Sequence, residues 1–221
     1  MGTEIIKYTP PTPDILNGGF PLKNDLLYRA VAAEVGQKKA NEEAERVDRE
    51  ANYDELTGLL NLRGLNRELA KSPQPVAVLY VDGTNQKAIN DIMTHQRGDD
   101  AIIGTANVIT SSLRPDDIAA RIGGDEFLVI LNREPRDPAH DEDLRSPDEV
   151  LGAVMGRVKS NTDSFLVENP DLVEKAGFDI AVGGVIWDEG LSIVELKNSA
   201  EAAMYAAKQK QHAANGSHRI V

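Results

Sequence analysis

The chain has 221 residues, of which 41% are hydrophobic and 27% charged, and a formal net charge of −12 at pH 7. This acidic balance argues against a nucleic-acid polymer as partner, because phosphate backbones are bound by basic surfaces. The absence of cysteine excludes disulfides, thiolate metal sites and cysteine nucleophiles. No apolar run approaches the ~20 residues of a membrane helix, and the start lacks a signal-peptide pattern, so we expect a cytoplasmic chain without a membrane segment.

The N-terminal 52 residues are expected to lie outside the main domain. Residues 1–22 are rich in proline and glycine without hydrophobic periodicity, which predicts a flexible tail. Residues 23–52 predict a helix, in which apolar and small residues recur every seven positions. Two series carry this repeat: Leu26, Ala33, Ala40 and Val47, and four residues on Ala30, Gln37, Ala44 and Ala51. Two interpretations stay open, a two-chain coiled coil that dimerises the protein and a single amphipathic helix lying on its own domain.

Residues 53–221 carry the pattern of one mixed α/β domain. An apolar run over 76–81 predicts a buried strand, and the spacing over 86–113 predicts a helix. Two short strands on either side of Gly123 and Gly124 predict a β-hairpin. The remaining predicted segments are a helix over 65–71, a surface loop over 132–147, a helix over 150–158, a strand over 178–187 and a final helix over 196–211.

The acidic residues that suggest chemistry stand at the ends of predicted strands. Asp82 follows the apolar run, and Asp125 and Glu126 stand at the tip of the hairpin. If these strands are neighbours, three carboxylates converge, which suits a hard divalent cation shared with substrate phosphates. Such a site is typical of phosphoryl or nucleotidyl transfer. The alternative is that the glycines form only a turn and that Asp82 only ends a strand.

Polar residues elsewhere in the chain complement these acids. Lys87, Asn90 and Asp99 follow Asp82 in the chain, and Lys208 lies in the final helix. A lysine can balance the charge of a triphosphate. An asparagine amide and an aspartate carboxylate can together recognise guanine, whose edge presents N–H donors to the carboxylate.

Four motifs in order resemble the GGDEF-type diguanylate cyclase family. The central one is Arg-Ile-Gly-Gly-Asp-Glu-Phe over 121–127; Asp-Glu-Leu-Thr-Gly-Leu-Leu-Asn over 54–61 is similar to the segment that opens the family's domain. Residues 89–99 and 203–208 are similar to two of its helices, so the resemblance covers about 52–215. It implies a single GGDEF domain over 53–221, of α/β (α+β) class, with a mostly antiparallel central sheet flanked by helices as in nucleotidyl cyclases, after an N-terminal signalling helix.

The resemblance implies that two GTP molecules condense into cyclic di-GMP with loss of two pyrophosphates, in a homodimer whose protomers each hold one GTP. Mg²⁺ or Mn²⁺ would be bound by Asp82, the backbone carbonyl of Gly83, Asp125 and Glu126. Asp125 would also help to deprotonate the attacking 3′-hydroxyl. The catalytic residues implied are Asp125, Glu126 and Lys87. The resemblance also implies a set of substrate-binding residues. Asn90 and Asp99 would bind guanine, and Lys208 would bind phosphate together with Lys87. The remaining substrate-binding residues implied are His95, Gly123 and Gly124.

An Arg-x-x-Asp pattern, Arg114 to Asp117, stands five residues before Gly123, where the family has a product-inhibition site. The resemblance implies that Arg114 and Asp117 bind cyclic di-GMP and inhibit the enzyme. An arginine fork suits bidentate bonding and stacking on guanine. The alternative is a surface turn with a salt bridge.

The chain departs from the family pattern beside Asp82. Thr84 stands where the family usually has a second aspartate, and Gln86 where it has phenylalanine. These changes keep open a second function, a non-catalytic module that acts as a receptor for GTP or cyclic di-GMP. A third possibility is a cyclase that uses another purine, which Asp99 disfavours because its carboxylate suits guanine's donor edge.

Overall fold

The computed structural model describes residues 22–71, 75–132 and 145–216. The chain divides into two compact units, residues 1–46 and 47–221. The tail predicted for residues 1–22, apart from residue 22, lies outside the described residues, as do residues 133–144 of the predicted surface loop.

Seven helices and four strands are formed by the described residues. In chain order they are α1 (Leu22–Asn52), α2 (Leu62–Leu69), β1 (Pro75–Gly83), α3 (Gln86–Ile92), α4 (His95–Ser112), β2 (Ile118–Arg121), β3 (Glu126–Asn132), α5 (Pro147–Glu168), α6 (Pro170–Ala176), β4 (Ile180–Ile186) and α7 (Ile193–Gly216).

The first unit is described from residue 22 and consists of the larger part of α1. All side chains from Arg29 to Arg46 are exposed. A pair of ionic contacts between Arg46 and Glu43 lies along its surface. No helix in the described part of the chain is long and apolar enough to cross a bilayer.

The second unit is built on one four-stranded sheet of order β2-β3-β1-β4, in which every neighbouring pair is antiparallel. This confirms the predicted α+β class and the predicted hairpin of β2 and β3. Asp82 lies directly opposite Glu126 in the register of β1 and β3. The predicted convergence of two of the three acids therefore follows from strand pairing.

The sheet has an apolar core on each face, because side chains alternate along buried strands. Leu79 and Phe127 face the side on which α4 and α5 pack. Val78, Tyr80 and Leu128 face the other side, towards α2 and α7. The sheet is thus covered on both faces, which explains the near-continuous hydrophobic run of β1.

The helix predicted over 86–113 is divided into α3 and α4 by Met93 and Thr94. Met93 leaves helical geometry with φ −112° and ψ −107°. Thr94 then caps α4, its side-chain oxygen accepting from the Arg97 N–H at 3.1 Å. A threonine at this position is a helix-start signal that the apolar periodicity hid. The short helix α6 was also not predicted, although Pro170 at its first turn is a start signal.

Gly183 in β4 allows α7 to lie directly on the sheet. A Cβ atom added there would lie 2.5 Å from Ala200 O and 2.5 Å from Met204 Cα, and would also contact the Met204 amide nitrogen. These are backbone atoms of α7, so a larger residue must push the whole helix away.

We expect Gly183→Ala to lower the free energy of unfolding by about 3 kcal/mol, as overpacking against rigid backbone does. Urea unfolding followed by the fluorescence of Trp187, the single tryptophan, measures this loss. Gly184→Ala is the matched control, because its Cβ would meet the end of the flexible Leu151 side chain at 2.7 Å. Equal losses for the two variants would contradict this account of the packing.

Candidate active site at the acidic end of the sheet

The three predicted acids lie at one end of the sheet, where β1 ends and the hairpin turns. Asp82 is the penultimate residue of β1 and Glu126 the first residue of β3, paired with it. Asp125 occupies the turn just before Glu126. Its carbonyl accepts from the Gly83 N–H at 3.1 Å, which ties the end of β1 to the turn.

Lys208 reaches this acidic end from α7. Its ammonium Nζ lies 2.5 Å from Asp82 Oδ1, in an ion pair whose side chains are 23% and 21% exposed. Met204, one turn earlier, is buried against the sheet, so Lys208 leaves the helix on the same face. The structure thereby brings together Asp82 and Lys208, which are 126 residues apart.

Tyr80 is a site residue that the sequence analysis did not identify. It shares a face of β1 with Asp82, and its side chain is 1% exposed. Burial, together with a hydrogen bond from its hydroxyl to Glu126, raises the pKa of Tyr80. The ammonium of Lys197 lies 5.1 Å from the centre of its ring. The period of two along β1 was the available signal for its place beside the acids.

Asp125 is electrostatically linked to the other acids. Burial, reinforced by the nearby carboxylates of Asp82 and Glu126, raises its pKa above the usual value for aspartate, while Lys208 opposes this rise. Like charges held close together disfavour ionisation. The three carboxylates therefore form one region of negative potential, which a cation stabilises.

The donor chemistry of this region fits a hard divalent cation. Carboxylates and a backbone carbonyl are the ligands that Mg²⁺ and Mn²⁺ accept. In the residues that the structure describes, no three histidine, aspartate or glutamate side chains are close enough to hold a metal ion together. Asp82 instead contacts Lys208, and Glu126 contacts Tyr80.

Arg121 and Asp54 brace the hairpin, a role that the sequence analysis did not assign to them. Arg121 Nη1 lies 3.0 Å from each carboxylate oxygen of Asp54. Its Nε and Nη2 donate to the Gly124 carbonyl at 3.0 and 2.7 Å, inside the turn. Burial opposes the ionisation of Asp54, but hydrogen bonds from Thr57 and Arg121 outweigh it and hold its pKa below the usual value. One guanidinium therefore fixes the turn that carries Asp125.

The two residues expected at guanine lie on adjacent helices. Asn90 is on α3 and Asp99 on α4, and both are half-buried. Gly98, the residue before Asp99, packs against Asn90, so an added Cβ would collide with Asn90 Oδ1. Gln86 donates from Nε2 to the Gly98 carbonyl at 2.8 Å, while its buried Oε1 has no hydrogen-bond partner. Gln86 thus ties α3 to α4 where the family has an apolar ring.

Thr84, the other departure from the family pattern, has a structural role. Its hydroxyl donates to the Asp179 carbonyl at 3.0 Å and accepts from the Asp179 N–H at 2.9 Å. The Thr84 N–H also donates to the same carbonyl at 2.8 Å. Thr84 therefore joins the end of β1 to the start of β4.

The other predicted substrate residues lie on α3, on α4 and in the hairpin turn. Lys87 on α3 and His95, the first residue of α4, are exposed. Gly123 packs against the Glu126 side chain, so an added Cβ would collide with Glu126 Oε2. Gly124 is exposed, and a Cβ there would meet no atom within 4 Å.

Arg114 and Asp117 lie at the opposite end of the sheet from the acids. Asp117 Oδ2 accepts from the Arg114 N–H at 3.0 Å, and its Oδ1 accepts from the Asn132 N–H at 3.1 Å. Because Asn132 and Glu126 are at the two ends of β3, about 20 Å separates this turn from the acids. Asp117 closes the turn, and each of its oxygens keeps a second lone pair for a ligand.

Comparison with known proteins identifies one family and several relatives. The sequence profile described as "Diguanylate cyclase, GGDEF domain" matches residues 51–214. "Probable diguanylate cyclase DgcT" of Escherichia coli K12 is 30% identical over 165 residues, covering 72% of this chain and 34% of that protein. "Diguanylate cyclase TpbB" of Pseudomonas aeruginosa UCBPP-PA14 is 28% identical over 192 residues, covering 83% and 40%. The chain therefore spans about a third to two fifths of these relatives' length.

A solved structure matches the architecture as well. The coiled coil and GGDEF domain of DgcB from Caulobacter crescentus, in complex with c-di-GMP, superposes with a TM-score of 0.65. It is 26% identical in sequence, and the match covers 84% of this chain and 95% of that one. The structural match therefore includes more residues of this chain than the 51–214 matched by the sequence profile. The matched DgcB structure includes a coiled coil as well as the GGDEF domain.

Proposed function

The chain belongs to the GGDEF domain family, and from this premise we propose that it is a diguanylate cyclase, which condenses two GTP molecules into cyclic di-GMP and two pyrophosphates. The observation that carries the proposal is the position of Asp82, Asp125 and Glu126 at one end of the sheet, where Lys208 pairs with Asp82. The family's curated relatives with that activity support the same assignment.

In the proposed reaction, the 3′-hydroxyl oxygen of each GTP attacks the α-phosphorus of the other. The bond from that phosphorus to the bridging oxygen breaks, and pyrophosphate leaves. Asp125 takes up the hydroxyl proton as the general base. Asp82, the Gly83 carbonyl, Asp125 and Glu126 are the residues that would hold Mg²⁺ or Mn²⁺. When bound, the metal supplies Lewis acidity at the α-phosphate.

Substrate binding is assigned to residues on three helices and the hairpin. Asn90 and Asp99 bind the guanine edge, and the packing of Asn90 against Gly98, the residue before Asp99, supports this assignment. Lys87 and Lys208 bind the triphosphate and offset the charge that develops on the leaving pyrophosphate. His95 contacts the nucleotide at the start of α4. The open space around Gly124 allows the nucleotide to lie against the turn.

Regulation by product is assigned to Arg114 and Asp117. Their separation from the acids by the length of β3 supports an inhibitory site apart from the reaction centre. The remaining lone pairs of Asp117 and the fork of Arg114 suit a guanine base of cyclic di-GMP.

Each domain supplies one GTP, so the reaction requires two chains whose active sites face each other. The heptad residues of α1 are assigned to a parallel homodimeric coiled coil. The exposure of Ala33 and Ala40 and the coiled coil in the DgcB structure support this assignment. Small residues in such a seam give a narrow, weak dimer, which suits a regulated enzyme.

We expect lysine at both Ala33 and Ala40 to weaken the dimer and to lower the rate per chain about tenfold at micromolar protein. Two buried ammonium groups per helix cannot be accommodated in a narrow seam. Analytical ultracentrifugation and GTP consumption measure the two effects together. Lysine at Ala32 and Val35, exposed positions outside the seam, adds the same charge and should change neither. Unchanged activity of the Ala33/Ala40 variant at nanomolar protein would contradict the coiled-coil assignment.

The concentration dependence of turnover tests the proposed function. The release of pyrophosphate from GTP is measured in the presence of Mg²⁺ over a range of protein concentrations. We expect the rate per chain to rise with concentration until the dimer is saturated. GTP that binds at every concentration but is never consumed would contradict the cyclase and favour a receptor.

A further inference from the structure

Lys208 is positioned to influence the binding of both ligands assigned to this site, the divalent cation and the nucleoside triphosphate. Lys208 Nζ lies 2.5 Å from Asp82 Oδ1, on a carboxylate that is also assigned to the metal. A lysine ammonium has three N–H donors and carries a full positive charge, so it repels any cation that binds the same carboxylate. Lys208 and a divalent cation therefore compete for Asp82.

The charge of Lys208 is felt beyond Asp82. It also acts on the Asp125 carboxylate, which interacts with those of Asp82 and Glu126. Three carboxylates with one ammonium carry less net negative charge than the three alone. With Lys208 on Asp82, the region therefore attracts a free dication less strongly.

The base of the Lys208 side chain is fixed, while its end is free to move. Met204 and Ala200 press against the sheet at Gly183, so α7 cannot shift without overcoming backbone contacts. From that helix the lysine extends on a flexible four-carbon stem. The ammonium can consequently exchange one acceptor for another within several ångströms without movement of the fold.

We propose that Lys208 couples metal binding to nucleotide binding: its ammonium occupies Asp82 until a triphosphate attracts it, and its departure frees the carboxylate for the metal. This inference rests on the proposed function, because it takes the triphosphate and the metal from it. The consequence is that the site takes up metal and nucleotide together and binds the free metal weakly. Because free metal binds weakly, the acidic residues are not saturated with metal before the substrate arrives.

The proposal predicts opposite changes in the two affinities on removal of one charge. Lys208→Met keeps the length of the side chain and removes the ammonium. We expect Mn²⁺ alone to bind this variant about tenfold more tightly than the wild type, because repulsion is lost. We expect 3′-deoxy-GTP with Mg²⁺, which binds but lacks the attacking hydroxyl, to bind about tenfold less tightly. Isothermal titration calorimetry measures both affinities without turnover.

Two further variants serve as controls. Lys159→Met removes the same charge from an exposed pair with Asp163 at 3.6 Å on α5, and should change neither affinity. Lys208→Arg keeps the charge and should retain weak Mn²⁺ binding, which keeps the test usable if Lys208→Met folds poorly. Tighter Mn²⁺ binding by Lys208→Arg would then overturn the proposal.

Unchanged or weaker Mn²⁺ binding by Lys208→Met overturns the proposal, as does unchanged binding of 3′-deoxy-GTP. Neither result depends on cyclase activity. A chain that binds metal and nucleotide as expected but forms no cyclic product would instead contradict the proposed function alone.

Discussion

Asp125→Asn is expected to lower the rate of cyclic di-GMP formation by about 10³-fold while leaving the fold intact. The substitution removes the proposed metal ligand and base but keeps the size of the side chain. A loss of about 4 kcal/mol of transition-state stabilisation corresponds to about this factor. The measurement is the initial rate of product formation at saturating GTP and Mg²⁺.

The same substitution should slightly stabilise the protein at neutral pH. A carboxyl whose pKa is raised on folding, here by burial and by the neighbouring Asp82 and Glu126, is ionised at neutral pH at a cost to the folded state. That cost is absent below the pKa of the unfolded chain and grows as the pH rises through the folded value. Because Asp125 is only partly buried, solvent screening limits the gain to about 0.5 kcal/mol, or 1–2 °C in Tm.

A comparison of Tm at pH 7 and pH 3.5 separates these effects. Without added metal, Asp125→Asn should melt above the wild type at pH 7 and level with it at pH 3.5. A lower Tm at both values would show that the variant is damaged, and would contradict the assignment of the lost activity to the carboxylate itself.

Arg121→Met is expected to have the largest effect on stability among ion-pair variants of the domain. Arg121 and Asp54 are 13% and 23% exposed, and the guanidinium also holds the Gly124 carbonyl. Removing one partner leaves a carboxylate and a carbonyl without their donors, which costs about 2 kcal/mol at partial burial. Activity should fall further than stability explains, because the turn that carries Asp125 loses its brace.

The effect of Arg121→Met should depend on pH in a defined direction. Hydrogen bonds from Thr57 and Arg121 outweigh burial and keep the pKa of Asp54 low in the folded protein. The stability that this gives is present above the unfolded pKa of aspartate and is lost as the pH falls through the lowered folded value. The difference in stability between variant and wild type should therefore be largest near pH 7 and shrink below about pH 4.

Urea unfolding at pH 7 and at pH 3 measures this difference. Lys71→Met, which removes an exposed cation 2.9 Å from Glu68, is the control and should change little at pH 7. If the loss in free energy of unfolding caused by Arg121→Met is the same at both pH values, the role given to Asp54 is contradicted.

The strand that ends at the acids and the hairpin that carries Asp125 were accessible from the sequence because they depend on local patterns. The apolar run before Asp82 and the paired glycines before Asp125 predicted strands and a turn. Antiparallel pairing then placed Asp82 opposite Glu126. The family resemblance added the guanine and phosphate residues, whose roles stay predictions.

Other features depend on contacts between distant segments, which no local pattern encodes. Lys208 meets Asp82 across 126 residues, and Arg121 meets Asp54 across 67. Asp54, Arg121 and Lys208 lie inside motifs that the sequence analysis recognised. A motif does not specify, however, which residues of distant segments its own residues will pair with. The division of the predicted helix at Met93 and Thr94 was missed for a different reason, since apolar periodicity continues across the break.

The identity of the nucleotide product tests the central claim most directly. The purified chain is incubated with GTP and Mg²⁺, the nucleotides are separated by ion-exchange chromatography, and Asp125→Asn is treated in parallel. The account predicts one cyclic di-GMP for every two pyrophosphates with the wild type and none above background with the variant. Bound but unaltered GTP in a dimeric wild-type protein would contradict it.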